Sequence, residues 1–404
     1  MKNKNGFIST AVVYSFLIIF LFIMLAILNS YSDKNKFLEA INDKIEINIG
    51  AKEEGKSTLL NKMLSDNITL STNSINYSNI ANSTNGRGLF YEDISSDKRI
   101  YFYRGEVSNN YVLFGREFSE DDENTIGNKI CWKILHTNLD GSIRLVYSGM
   151  LDDNGFCTSS KTYIGMSKYN NNKNDNAYVG YTYGGASKDN YELTHYYDED
   201  KNIIESEIKK ELENWYKYNT DLSSYTNIIY SEDLSDKISV KDAYIADTIF
   251  CADRSVEDIT TSGYGVISTI YGSRLRINLN QKPQFSCSSI DDEYSLSVIV
   301  GGVNSNPNSI STPVGLLSVD EVRYAGGAYN KSNNKYFLFN NINYWTMSPD
   351  SYENSAKVFN VSSTGAIMSS DVDQEYAIRP VISIKSDALI DRGTGYMEDP
   401  YIVY

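Results

Sequence analysis

Histidine is almost absent from this 404-residue chain: His136 and His195 are the only two. A Ser-His-Asp or Cys-His nucleophile would have to use one of them. His136 lies in the strand-like run CWKILHT and His195 in the tyrosine-rich THYYDED, settings that read as packing and surface rather than as a general base. Basic charge is short as well. Against 52 acidic residues stand 37 Lys and Arg, a net charge of −15. That balance excludes nucleic acid and anionic lipid as the main partner, because both require clustered cations. The four cysteines contain no C-x-x-C pair, which excludes a zinc knuckle or thioredoxin-like site. Nor does any segment match the twelve-residue EF-hand loop. No catalytic constellation emerges, and no catalytic, cofactor-binding or metal-ligating residue is assigned.

What is present begins with a run without charge, residues 5–32. Its apolar core, residues 7–29, would span roughly 35 Å as a helix, enough to cross a hydrocarbon layer of about 30 Å. The run is too long for a secretory h-region and no A-x-A-like cleavage site follows it, so it reads as a retained membrane anchor. Lysines flank it on both sides and do not settle its orientation. Beyond it, Phe37, Leu38, Ile41, Ile45 and Ile49 recur at helical spacing, predicting an amphipathic stem ended by Gly50. Residues 51–88, rich in Ser, Asn and Thr, read as a polar stalk.

From Leu89 the pattern changes to short β-prone runs: RIYFYRGEV, NYVLFG, KICWKILHT and SIRLVYSG, the last two joined by an Asp-Gly hairpin signal at residues 138–142. A helix is predicted over 202–218, with Ile204, Ile208, Leu212, Trp215 and Tyr216 on one face. A second starts at Ser318, where Ser318 and Glu321 form a capping box and Gly326–Gly327 supplies the stop. Strands return in KYFLF, NYWTMS, AKVFNV, GAIMSS and AIRPVISIK, with a turn at residues 362–365. Few helices among many short strands predict an α+β class. Trp132, Trp215 and Trp345 read as core anchors, and the tyrosines of YVGYTYGG (residues 178–185) as an exposed contact loop.

Three further features bear on chemistry. Cys131, Cys157, Cys251 and Cys287 admit three disulfide connectivities; sequential pairing, Cys131–Cys157 and Cys251–Cys287, is expected because it staples local loops. The segment from Gly50 to Ser57 matches G-x-x-x-x-G-K-S, but nucleotide binding is rejected there: Glu53 and Glu54 would face phosphates, and the preceding KIEINI is too polar for a central parallel strand. Acid-rich loops at residues 120–124, 152–155 and 371–375 are the only calcium candidates, and acidic loops on an acidic protein are usually solvated.

Two family resemblances follow from quoted residues. The start, Lys-Asn-Gly-Phe and an apolar run, resembles a type IV prepilin leader cut between Gly6 and Phe7, which implies an outward-facing C-terminus; the family's glutamate at the fifth mature position is Ala11 here. The segments FCADRS, PVGLLSVDEVRYAGG, NYWTMSP, FNVSSTGAI and AIRPVISIK, in that order, resemble bacterial surface proteins with a C-type-lectin-like fold related to the formylglycine-generating enzymes. The redox-active cysteine pair of that enzyme branch has no counterpart after Cys287, and the calcium-lectin signatures Glu-Pro-Asn and Trp-Asn-Asp do not occur, so neither activity is carried over. The resulting expectation is an anchor at 1–31, a stem and stalk at 32–88 and an extracellular lectin-like domain at 89–404, binding a surface protein or glycan without catalysis. A pilin-like filament subunit and a carboxylate-based cell-wall hydrolase are the alternatives. Trp345, Gly365 and Arg379 are expected to matter structurally, Arg379 by pairing with a buried acid.

Overall fold

Asp140 and Gly141 close the hairpin that organises the larger sheet. Asp140 accepts the Ser142 amide at 2.9 Å, and Gly141 takes φ 82°, a left-handed conformation that glycine adopts without a Cβ penalty. The flanking strands, Lys129–Thr137 and Ile143–Met150, pair antiparallel over their whole length. In the computed structural model of the protein the described residues are 57–96, 98–118, 128–158, 161–184, 203–225, 244–256, 265–280, 282–289, 292–296, 299–300, 303–304 and 309–403. All belong to one compact unit.

Two mixed sheets carry the fold. In the nine-stranded sheet the order is Thr69–Ser71, Gly88–Asp93, Arg99–Arg104, Lys129–Thr137, Tyr111–Arg116, Tyr401–Val403 and Ile390–Arg392, with Ile143–Met150 and then Val381–Ile384 branching from Lys129–Thr137. The six-stranded sheet runs Ile367–Asp371, Ala356–Val361, Tyr344–Tyr352, Glu375–Ile378 and Gly165–Lys168, with Thr269–Ile270 added to Tyr344–Tyr352. Pro380 divides AIRPVISIK between them. Lacking an N–H, it interrupts the ladder, so Glu375–Ile378 stays in the smaller sheet while Val381–Ile384 pairs with Ile143–Met150 in the larger.

The core lies along these strands. Trp132 and Trp345 are fully buried, and each indole N–H is satisfied, donating to Phe114 O at 2.8 Å and Ser167 O at 3.0 Å. The capping box is present: Ser318 Oγ accepts the Glu321 amide, the Glu321 carboxylate accepts the Ser318 amide, and helix Val319–Ala325 ends at left-handed Gly326. The turn at residues 362–365 joins Ala356–Val361 to Ile367–Asp371.

Several expectations are corrected. The class is mostly β rather than α+β: among the described residues there are 22 strands and four α-helices, the longest of 12 residues. Strand-forming runs punctuated by Gly, Asn and Ser turns leave room only for short helices. None of the described helices is long and apolar enough to cross a membrane. The anchor expected at residues 7–29, the leader site at Gly6 and Phe7 and the amphipathic stem lie outside the described residues. Residues 57–88 are no stalk: Leu59 and Met63 of helix Leu59–Asp66 enter the main core, and Thr69–Ser71 pairs with Leu89, Phe90 and Tyr91. The predicted helix at 202–218 starts only at Glu207, because Ser206 caps it while Ile203–Glu205 forms a strand with Thr182–Gly184. KYFLF is a bend with Tyr336, Phe337 and Leu338 buried rather than a strand, and Tyr181, expected on an exposed loop, is fully buried.

Candidate functional site

The densest polar chemistry gathers around helix Val319–Ala325. The Cys251–Cys287 disulfide joins the segment carrying Asp253 to the one carrying Ser288. Asp253 sits at φ 37°, a left-handed conformation uncommon outside glycine, which turns its carboxylate inward. There it accepts from Ser255 Oγ, from Ser288 Oγ at 3.2 Å and from the Arg276 guanidinium. Arg276 also grips Asp320 bidentately, Nε to Oδ1 at 3.1 Å and Nη2 to Oδ2 at 2.8 Å, and donates to Ser288 Oγ at 3.2 Å. Burial raises the Asp320 pKa, and Arg276 opposes that shift. Burial lowers the Arg276 pKa, but its two carboxylates outweigh this and leave the guanidinium above its ordinary range. The carboxylates and the guanidinium satisfy one another, and the arrangement ties the segments carrying Asp253, Arg276 and Ser288 to one helix.

One residue further along, Glu321 forms a second ion centre. Beyond the Ser318 amide at 2.7 Å, its carboxylate accepts from His136 Nε2 at 2.9 Å and lies 3.2 Å from Arg144 Nε. His136 Nδ1 faces the Thr137 carbonyl at 3.0 Å, so both ring nitrogens meet acceptors. Burial pushes the Glu321 carboxyl up, but Arg144 and His136 together hold it below the usual range. Arg144 extends the centre to Thr248 Oγ1 at 3.1 Å and the Ile249 carbonyl at 2.5 Å.

A different surface is built over the other disulfide. Cys131 and Cys157 bond in sequential order, as Cys251 and Cys287 do, and pack with Leu113 under the half-buried Tyr111, Leu151 and Ile402. Two loops meet above them. In the first, the Asp152 carboxylate accepts the amides of Asn154 at 3.0 Å and Phe156 at 2.8 Å and the Thr158 hydroxyl; these bonds hold its pKa low. In the second, the amides of Thr394 and Gly395 both reach the Asp399 carbonyl at 3.0 Å. The Cys157 amide donates to Met397 O at 2.8 Å and the Tyr111 amide to Gly395 O at 2.7 Å, fixing both loops to the sheet. Phe156 (37% exposed), Tyr396 (47%) and Met397 (37%) project into solvent from this bonded frame, beside the exposed acids Asp153, Glu398 and Asp399.

The residues singled out in the sequence fare differently. Trp345 is a core residue, and Gly365 occupies a left-handed turn position at φ 78°. Arg379 is buried but pairs with no acid among the described residues: it donates to Leu338 O at 2.9 Å and Tyr147 O at 3.2 Å and stacks over the Tyr344 ring. Carbonyls rather than a carboxylate meet it, because the bend of KYFLF turns its backbone oxygens inward. Of the Gly50 to Ser57 match only Ser57 is described; its carbonyl accepts from Ile390 N at 3.1 Å. The acid loop at 120–124 and His195 lie outside the described residues. The carboxylate of Asp152 is taken up in its own turn, and Asp371 and Asp373 share Lys173, each at 3.0 Å. No group of three or more His, Cys, Asp or Glu able to hold a metal occurs among the described residues. The Arg276 and Glu321 centres escaped the sequence reading because their members come from distant segments; the signal available was Ser318-x-x-Glu321, read there only as a cap.

Residues 287–386 match the family model of a domain of unknown function, DUF6273. That stretch contains helix Val319–Ala325 and most of the smaller sheet, and it includes Asp320, Glu321, Trp345, Gly365 and Arg379. No curated protein matches the chain, and no solved structure matches it.

Proposed function

We propose that the chain is a cell-surface binding protein that recognises a surface protein or glycan by contact, with residues 7–29 as its membrane attachment and the disulfide-bonded unit outside the cytosol. Two disulfides support that placement, since such bonds persist in oxidising compartments. The observation that carries the binding reading is the display of Phe156, Tyr396 and Met397 on loops fixed by backbone hydrogen bonds and a disulfide. Exposed aromatic and Met side chains on a rigid frame lose little entropy on docking, and such residues dominate interface energetics. The acids at the rim favour a partner with basic groups around an apolar centre.

The test compares the chain with its Phe156→Ser/Tyr396→Ser/Met397→Ser variant in binding to intact cells. Saturable binding that weakens by about tenfold or more in the variant, at unchanged melting temperature, supports the reading. Equal binding by both chains would move the contact surface elsewhere, and no saturable binding by either would remove the function.

A further inference from the structure

Two Asn-Gly dipeptides lie among the described residues, Asn85–Gly86 and Asn154–Gly155, and both asparagines are exposed. A glycine after asparagine has no Cβ to hinder its own backbone nitrogen. The structure separates the two sites by what that nitrogen does. The Gly155 amide donates to Asp152 O at 2.9 Å, and the Asn154 and Phe156 amides on either side both donate to Asp152 Oδ1. At the other site the bonding stops at the Asn85 backbone: its amide donates to Asn82 Oδ1 at 2.9 Å and its carbonyl accepts the Asn82 amide at 3.0 Å. Among the described residues the Gly86 amide has no acceptor and the Asn85 carboxamide makes no hydrogen bond. Gly86 also abuts a buried cation. A Cβ built on it would lie 3.3 Å from Arg104 Nε, and the hydrogen bonds of that guanidinium go to the carbonyls of Asn79, Arg323 and Tyr324 rather than to a carboxylate.

We propose that Asn85 is a self-modification site, at which the chain converts the side-chain amide into a carboxylate through a succinimide. The Gly86 amide gives up its proton, and the nitrogen attacks the Asn85 carboxamide carbon while the carbonyl π pair moves to oxygen. The tetrahedral centre collapses, the bond to the side-chain nitrogen breaks, and ammonia leaves with a proton from solvent. Water then adds to either imide carbonyl and opens the ring, giving an aspartyl or an isoaspartyl residue. One water enters, one ammonia leaves, and no oxidant or reductant takes part. A cation beside the glycine favours both the loss of the amide proton and the oxyanion that follows. At Asn154 the same attack would first have to break the bond from the Gly155 amide to Asp152 O. The product sets a negative charge one residue from the glycine that abuts Arg104.

The full chain, folded and with its disulfides intact, is incubated in heavy-oxygen water across pH 7–9, and labelled peptides are mapped by mass spectrometry. Asn85 is expected to deamidate about tenfold faster than Asn154, the cost of breaking one backbone hydrogen bond. Its rate should rise with pH, and its product should resolve into aspartyl and isoaspartyl forms. In chain unfolded by guanidinium the two sites should converge, since both then precede a glycine in free chain. Deamidation of Asn154 as fast as Asn85 in the folded chain, the same preference in the unfolded one, or an aspartyl product alone at Asn85 would overturn the proposal.

Discussion

Tyr147 uses both of its backbone groups on two consecutive residues that link the strands Glu375–Ile378 and Val381–Ile384: its amide donates to Pro380 O at 2.8 Å, and its carbonyl accepts Arg379 Nη2 at 3.2 Å. This exchange sits where the chain leaves the smaller sheet for the larger. Arg379 also reaches Leu338 O, so one buried guanidinium ties Ile143–Met150 and the bend at 335–339 to the seam. Replacing it by Ala removes its hydrogen bonds to two buried carbonyls, of which Leu338 O keeps the Tyr344 hydroxyl at 3.2 Å. Hydrogen bonds to charged groups contribute about 1.5–3 kcal/mol each and do not add fully, so Arg379→Ala is expected to destabilise by about 2–4 kcal/mol. Urea unfolding followed by Trp fluorescence measures this, and a midpoint unchanged from the parent would show the seam to be held by other contacts.

Gly365→Ala should cost about 2–4 kcal/mol for a different reason. The residue has φ 78°, and an added Cβ would meet the Asn333 carbonyl oxygen at 2.0 Å, a backbone atom that cannot swing aside. Asn333 in turn donates to Ala81 O at 2.6 Å, so the strain reaches the segment expected to be a stalk. A fall in melting temperature accompanied by faster amide exchange near residue 81 is the expected result.

The disulfides should separate under mild reduction. Cys131 and Cys157 are buried (0% and 3% exposed), whereas Cys251 and Cys287 are half-buried at the surface. Access governs thiol–disulfide exchange, so limiting dithiothreitol is expected to open Cys251–Cys287 first. Mass-tagging of freed thiols reads the order directly. Loss of either bond should cost within the usual range of about 2–4 kcal/mol.

Stability should depend on pH in two opposed ways. Burial raises Asp292 to about 6, the nearby Arg254 only partly offsetting it. A raised carboxyl binds more protons folded than unfolded, so this group adds stability as pH falls from about 6 toward 4. Glu321 is held below its ordinary range, so its contribution is present above about pH 4 and is lost as pH falls further. Unfolding free energies measured from pH 3 to 7 should therefore rise and then fall on acidification. Asp292→Asn should flatten the upper limb and Glu321→Gln the lower.

Local rules were legible in the sequence where the determinant and its effect lie within a few residues. Asp140-Gly141 makes its hairpin, Ser318 and Glu321 make their capping box, and the turn at 362–365 forms as read. The disulfide order follows the same logic of nearby closure. Long-range decisions were not legible. Nothing local tells that Pro380 hands one apolar run to two sheets, or that Leu59 and Met63 in a polar neighbourhood are claimed by a distant core. The 202–218 helix starts only after its Ser206 cap because residues 203–205 pair as a strand with residues 182–184. The Arg276 centre needs residues 253, 276, 288 and 320 to converge, and the loops above Cys131–Cys157 need residues 157 and 397 to meet.

The most direct test of the surface-binding account is protease treatment of intact cells producing the chain, followed by detection of the region after residue 89. Loss of that region in intact cells is predicted, with the disulfide-bonded unit outside and open to ligand. Its survival until the cells are lysed, with cleavage only then, would place it in the cytosol and contradict both the location and the surface-binding function.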